Sequence, residues 1–173
     1  MLDVEALDEW GADELSHAVL LRLAAEFQGF CRDLHNECIE LFVAALGLTD
    51  RRLELILSTQ NMRSGRRLDS GNANQDTLAQ DFSRFGLQVW AELEKSFPEL
   101  APGWNAVLRL LNTARNGLAH DADDKLDRLR REGHALTMTT ALEWRLSLDG
   151  LAGGMDTVCG EYLRVLLPGV ELR

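Results

Sequence analysis

The stretch "LLNTARNGLAHDADD", residues 110–124, puts an arginine and a histidine where each raises a chemical question. At about 100° per residue, Trp104, Leu108, Leu111 and Leu118 all fall within about 60° of Arg115 on a helical wheel. The guanidinium therefore points along an apolar face. It cannot stay there unpaired, so it must meet a carboxylate, a phosphate or a second subunit that supplies partners. Asn112, Asn116 and His120 follow one another at four-residue steps of about 40° and form a polar arc beside that face. The plain reading pairs Arg115 with one of the chain's many carboxylates and leaves His120 to cap the helix end. The functional reading gives the arginine an anion to hold and the imidazole a proton to move.

Other groupings admit chemistry as well. Cys31, His35 and Cys38 fall within about 60° on one helix face and outline a metal site. One helix rarely supplies a complete zinc set, and cysteines in an apolar stripe behave as small hydrophobes, so no metal or other cofactor is expected. Gln28, Arg32 and His35 make a polar edge to the same helix, either solvated or bordering a cleft. Asp121, Asp123 and Asp124 lack the ordered loop pattern of a calcium site and read as a solvated acidic turn. Arg51, Arg52, Arg63, Arg66 and Arg67 concentrate positive charge, and Arg63, Arg66 and Arg67, together with Asn112, are the candidate substrate-binding residues. The chain has no glycine-rich phosphate loop, no nucleophile elbow and no triad spacing.

The elements that must position these residues are helical almost throughout. From about residue 13 to 46, Leu20, Leu23, Phe27, Cys31, Leu34, Cys38, Leu41, Phe42 and Ala45 recur at three- and four-residue spacing, which predicts one long helix stopped at Gly47. Thr49 or Asp50 can cap a shorter helix through "RRLELILSTQNM". The segment "RSGRRLDSGNANQD", residues 63–76, is a loop by composition. A single helix is then expected through "TLAQDFSRFGLQVWAELEKSF", closed by Pro98, and Pro102 with Gly103 introduces the helix that carries Arg115. A short helix in "KLDRLRRE" ends at Gly133. A last helix, capped at Thr140 with Glu143 in capping-box spacing, runs to Pro168, with Gly153 and Gly154 expected to kink or break it.

With 173 residues, 46% hydrophobic residues and three prolines, the chain suits one ordered domain over residues 1–173, an all-α bundle of about five or six helices. A net charge of −10 and a pI near 4.8 argue against broad affinity for nucleic acid or anionic membranes and leave room only for a local basic groove. Three cysteines fit a reducing compartment, with the cytoplasm as the expected location. The acidic start and the lack of an apolar run of roughly 18 residues predict neither a signal peptide nor a membrane anchor.

The residues "RNGLAH" resemble the signature of HEPN domains, in which an arginine, usually followed by a polar residue, precedes a histidine with four to six residues between them. Four residues separate Arg115 from His120 here, and Asn116 fills the polar slot. "EFQGFCRDLHNE" and "LDSGNANQDTLAQDFSRFGLQVW" also look like elements of such a family. The resemblance implies a small all-α bundle and a homodimer that pairs the two motif helices across a cleft. It implies a metal-independent endoribonuclease in which Arg115, His120 and Asn116 act on RNA and leave 2′,3′-cyclic phosphate ends, in the setting of a toxin or an antiviral defence effector. An antitoxin or regulatory protein would then be a partner. In HEPN toxins controlled by a minimal nucleotidyltransferase, a tyrosine stands two residues after the histidine; this chain has Ala122 there, so that form of control is not expected. The alternative is a catalytically silent bundle of the same kind that binds a protein or a nucleotide.

Overall fold

A computed structural model describes residues 9–120 and 122–167; Asp121, Pro168 and the acidic start of the chain lie outside them. The chain forms an all-α bundle: α1 (Glu9–Ala45), α2 (Arg51–Leu55), α3 (Arg67–Ser70), α4 (Gln75–Phe82), α5 (Val89–Ser96), α6 (Ala101–Ala119), α7 (Asp123–Arg131) and α8 (Met138–Leu166). The apolar stripe of α1 is buried as its spacing predicts, from Leu20 through Phe27 and Cys31 to Cys38. It lies along α8. Leu23 and Phe27 share a groove with Leu148 and Ala152, while Leu34 and Cys38 share one with Cys159 and Leu163, so the two longest helices run parallel. Helix α6 packs on both and brings Leu108, Leu111 and Ala114 into the common core. No helix among the described residues is long and apolar enough to cross a membrane.

The count exceeds five or six because two segments depart from the expected pattern. Residues 63–76 are not simply loop. After a π-helical run (Ile56–Arg63), α3 forms one turn and α4 begins at Gln75, capped by Asn74, whose Oδ1 accepts from the Thr77 N–H at 2.9 Å. Likewise, residues 77–97 do not make one helix. A 3₁₀ turn (Ser83–Phe85) and Gly86, at φ 91°, separate α4 from α5. The break is locked from a distance: Tyr162 Oη donates to the Phe85 carbonyl at 2.8 Å, and a Cβ on Gly86 would lie 2.6 Å from that hydroxyl.

Helix α8 corrects two further expectations. Its cap is Thr137, not Thr140, and the Thr140 N–H donates to the Thr137 hydroxyl at 3.3 Å. It also runs unbroken through Gly153 and Gly154. The reason is Trp104 of α6, whose indole lies on α8 where it has no side chains: a Cβ on Gly150 or on Gly154 would sit 2.8 Å from that ring. Gly153 faces open space, with nothing within 4 Å of its Cβ position. The two neighbours should therefore respond with opposite signs. Gly153→Ala gains helix propensity and is expected to stabilise by up to about 1 kcal/mol. Gly154→Ala gains the same but crowds Trp104 and Leu93, and overpacking of about 1–3 kcal/mol wins. Urea melts of the two variants check this pair; a stabilising Gly154→Ala would refute the packing account.

Candidate functional site

Helix α6 carries Pro102 in its first turn, where the missing N–H is no loss, and ends at His120, the C-cap residue at φ −119° and ψ 10°. The turn closes when the Ala122 N–H donates to the Gly117 carbonyl at 2.9 Å, and α7 starts at once. Gly117 lets this happen, since a Cβ there would overlap Leu126 of α7. His120 is left exposed at the junction, and its imidazole makes no hydrogen bond among the described residues.

One turn and a half earlier, Arg115 is half-buried and has no ion pair among the described residues, although acidic residues abound in the chain. Its Nη1 donates to Asn116 Oδ1 at 3.1 Å. The same oxygen accepts from Asn72 Nδ2 at 2.9 Å. With its oxygen doubly engaged, Asn116 has its amide NH₂ left to offer, which is a donor for an anion. Arg115 borders a pocket of about 220 Å³ between α1, α6 and the segment before α4. Asn112 lines that pocket too, with its NH₂ held by the Ala73 and Leu108 carbonyls at 2.8 and 2.9 Å.

The arginines of residues 63–67 do not join this site. Arg63 Nη2 lies 2.6 Å from Glu40, and exposed Arg67 donates to Gln80 Oε1 at 3.0 Å. Arg66 turns inward and is 7% exposed. It grips Asp69 with two bonds of 2.7 and 3.2 Å, reaches Asn36 Oδ1 at 2.8 Å, and points Nη1 at His35 Nδ1 from 3.2 Å. Its hydrogen bonds hold the Asp69 carboxyl below the usual carboxylate range. Nε and both Nη1 donors are spent within the protein and Nη2 is bound to Asp69, so the guanidinium is committed to holding this segment.

What these groups do is hold the segment that carries Asn72. Gln28 and Arg32 of α1 both donate to the Leu68 carbonyl, and Gln28 also reaches Gly71. Arg84 donates to the carbonyls of Met62, Ser64 and Gly65. Asp81, fully buried, accepts from the N–H groups of Arg67 and Leu68 at 2.9 and 2.8 Å and so caps α3 from another helix. The polar edge Gln28–Arg32–His35 therefore holds residues 66–73 against α1, and its first member, Gln28, borders the pocket beside Arg115. Asn72 is the functional candidate that spacing along the chain does not reveal, because it reaches Asn116 across 44 positions.

His35 is fully buried, with Nε2 2.9 Å from the Asp81 carbonyl. Burial above all, reinforced by the Arg66 charge and opposed by the bond to Asp81, lowers its pKa from 6.5 to about 4. It does not ligate metal with Cys31 and Cys38: Nδ1 faces Arg66, and burial pushes the Cys31 thiol well up. The unfolded chain binds a proton below pH 6.5 that the folded chain refuses until about pH 4, so stability is full above that window and falls as pH drops through it. The expected loss is about 3 kcal/mol. Urea midpoints at about pH 7 and pH 4.5 check it: a His35→Gln variant should lose markedly less over that interval, and an equal loss would rule the histidine out as the cause.

No family model, curated protein or solved structure matches the chain.

Proposed function

We propose that the chain is a metal-independent endoribonuclease of HEPN type that works as a homodimer. One observation carries this reading: among the described residues, a half-buried arginine without a carboxylate partner stands on the helix that ends in an exposed histidine whose imidazole makes no hydrogen bond. A structural Arg115 would resemble Arg66, which has its carboxylate in hand. Most of Arg115's donors have no partner among the described residues.

In this mechanism, neutral His120 takes the proton of a ribose 2′-OH, and the 2′ oxygen attacks the adjacent phosphorus. The P–O5′ bond breaks, a proton passes to the 5′ oxygen, and the products carry a 2′,3′-cyclic phosphate and a 5′-OH. Arg115 and the Asn116 NH₂ hold the non-bridging oxygens as charge builds on them. A second protomer facing α6 would complete the cleft, and the acidic charge elsewhere on the chain confines RNA to it. A toxin or defence role, and an antitoxin or regulator that restrains it, belong to the same proposal.

The test is incubation of purified protein with RNA in EDTA, with the ends of the products mapped. Cleavage to cyclic phosphate ends is the expected result. An RNA left intact by a well-folded dimer would overturn the reading and favour a silent binding bundle.

A further inference from the structure

We infer that the pocket beside Arg115 is a base-binding site selective for the amidine edge of adenine or cytosine. The inference deepens the ribonuclease reading and rests on it in treating these bases as parts of an RNA substrate. At about 220 Å³ the pocket is smaller than a drug-sized site of roughly 300–1,000 Å³ and suits a single planar base. Buried Phe27, Leu108 and Leu111 give it an apolar floor, and Gln28, Asn72, Asn112 and Arg115 supply its polar groups.

The hydrogen bonds of those amides decide what the ring must offer. A primary amide has two N–H donors and one oxygen acceptor. Gln28 spends both donors on Leu68 O and Gly71 O, at 3.0 and 2.6 Å. Asn112 spends both on Ala73 O and Leu108 O. Asn72 spends one on Asn116 Oδ1. Gln28 Oε1, Asn72 Oδ1 and Asn112 Oδ1 have no hydrogen-bond partner among the described residues. Neither Gln28 nor Asn112 can reverse its amide, because the oxygen would then face two carbonyl oxygens. Gln28 and Asn112 thus present fixed acceptors, Asn72 presents an acceptor with one N–H to spare, and Arg115, with one of its N–H groups on Asn116, presents donors.

The complement is an amino group beside an unprotonated ring nitrogen. Adenine and cytosine carry that pair on the Watson–Crick edge, away from the sugar: the amine donates to the amide oxygens and the ring nitrogen accepts from Arg115, whose remaining donors reach the neighbouring phosphate. Hypoxanthine and uracil place a carbonyl where the amine stands, so acceptor meets acceptor and a buried group is left unpaired.

Chemical-shift titration of the unmodified protein with 3′-AMP, 3′-IMP, 3′-CMP and 3′-UMP tests the site. AMP and CMP should bind at least about tenfold more tightly than their carbonyl counterparts. Ala24→Leu, which projects a larger side chain into the pocket from α1, should abolish AMP binding while the melting temperature holds. Equal affinity for AMP and IMP, no binding of any mononucleotide, or AMP binding untouched by Ala24→Leu would each overturn the assignment. Mononucleotides contain no bond to cleave, so an inactive protein can still pass this test, and a ribonuclease indifferent to base would fail it while remaining a ribonuclease.

Discussion

Replacing His120 by alanine is expected to lower RNA cleavage by about 10²- to 10⁴-fold while the melting temperature stays where it was. The two halves of this result come from one description. The imidazole is exposed and bonds to nothing among the described residues, so folding does not depend on it. If it is the base, every turnover does. Arg115→Ala should be as damaging to cleavage, since it removes the charge that the proposed mechanism sets against the phosphate. Arg115→Lys restores the charge without the planar fork that engages Asn116 and a phosphate together, so it should recover only part of the rate. Initial rates on a defined oligonucleotide, taken with melting curves of each variant, check the set. A His120→Ala protein that cleaves as fast as the original would remove the residue from the mechanism.

Asp81→Ala should be among the most destabilising single changes in the chain. The carboxylate has no exposure to solvent and accepts two backbone N–H bonds that begin α3, with Arg84 Nε a further 3.7 Å away. Its removal leaves the Leu68 N–H buried without a partner and Arg84 without its counter-charge. Breaking a buried arrangement of this kind costs about 3–5 kcal/mol, a large share of a total stability of about 5–15 kcal/mol. For a chain of this size that is a fall in melting temperature of roughly 10 °C or more. Asp81→Asn retains one acceptor and should fall between. Because residues 66–73 hold Asn72 against Asn116, the same variants should also slow cleavage at temperatures where they remain folded. A melting temperature for Asp81→Ala within about 2 °C of the original would show that the cap is dispensable.

These two residues also mark how far the sequence could be read. The stripe from Leu20 to Ala45 is a periodicity within one helix, and so is the run of Trp104, Leu108 and Leu111, so α1 and α6 are legible, and with them the placing of Arg115 on α6 and His120 at its end. Helix α3 is not, because its cap is Asp81, remote in sequence, and "RSGRRLDSG" alone reads as loop. The break at Gly86 depends on Tyr162, and the continuity of α8 through two glycines depends on Trp104. Arg66 and Arg115 look alike in sequence. Only the fold sets one against Asp69 and leaves the other facing a pocket.

The parallel pairing of α1 and α8 bears on how the chain reaches this fold. The longest helix packs along a partner that starts only at Met138, so most of the chain must exist before the stripe from Leu20 to Cys38 has its cover. A helix can form within microseconds, but docking these two requires closing a loop that spans everything between Ala45 and Met138. Contacts so distant along the chain raise its contact order above that of an up-and-down bundle and slow its folding accordingly. During synthesis α1 emerges with its apolar side bare and waits for α8 to be made, which makes the half-finished chain a natural client for chaperones.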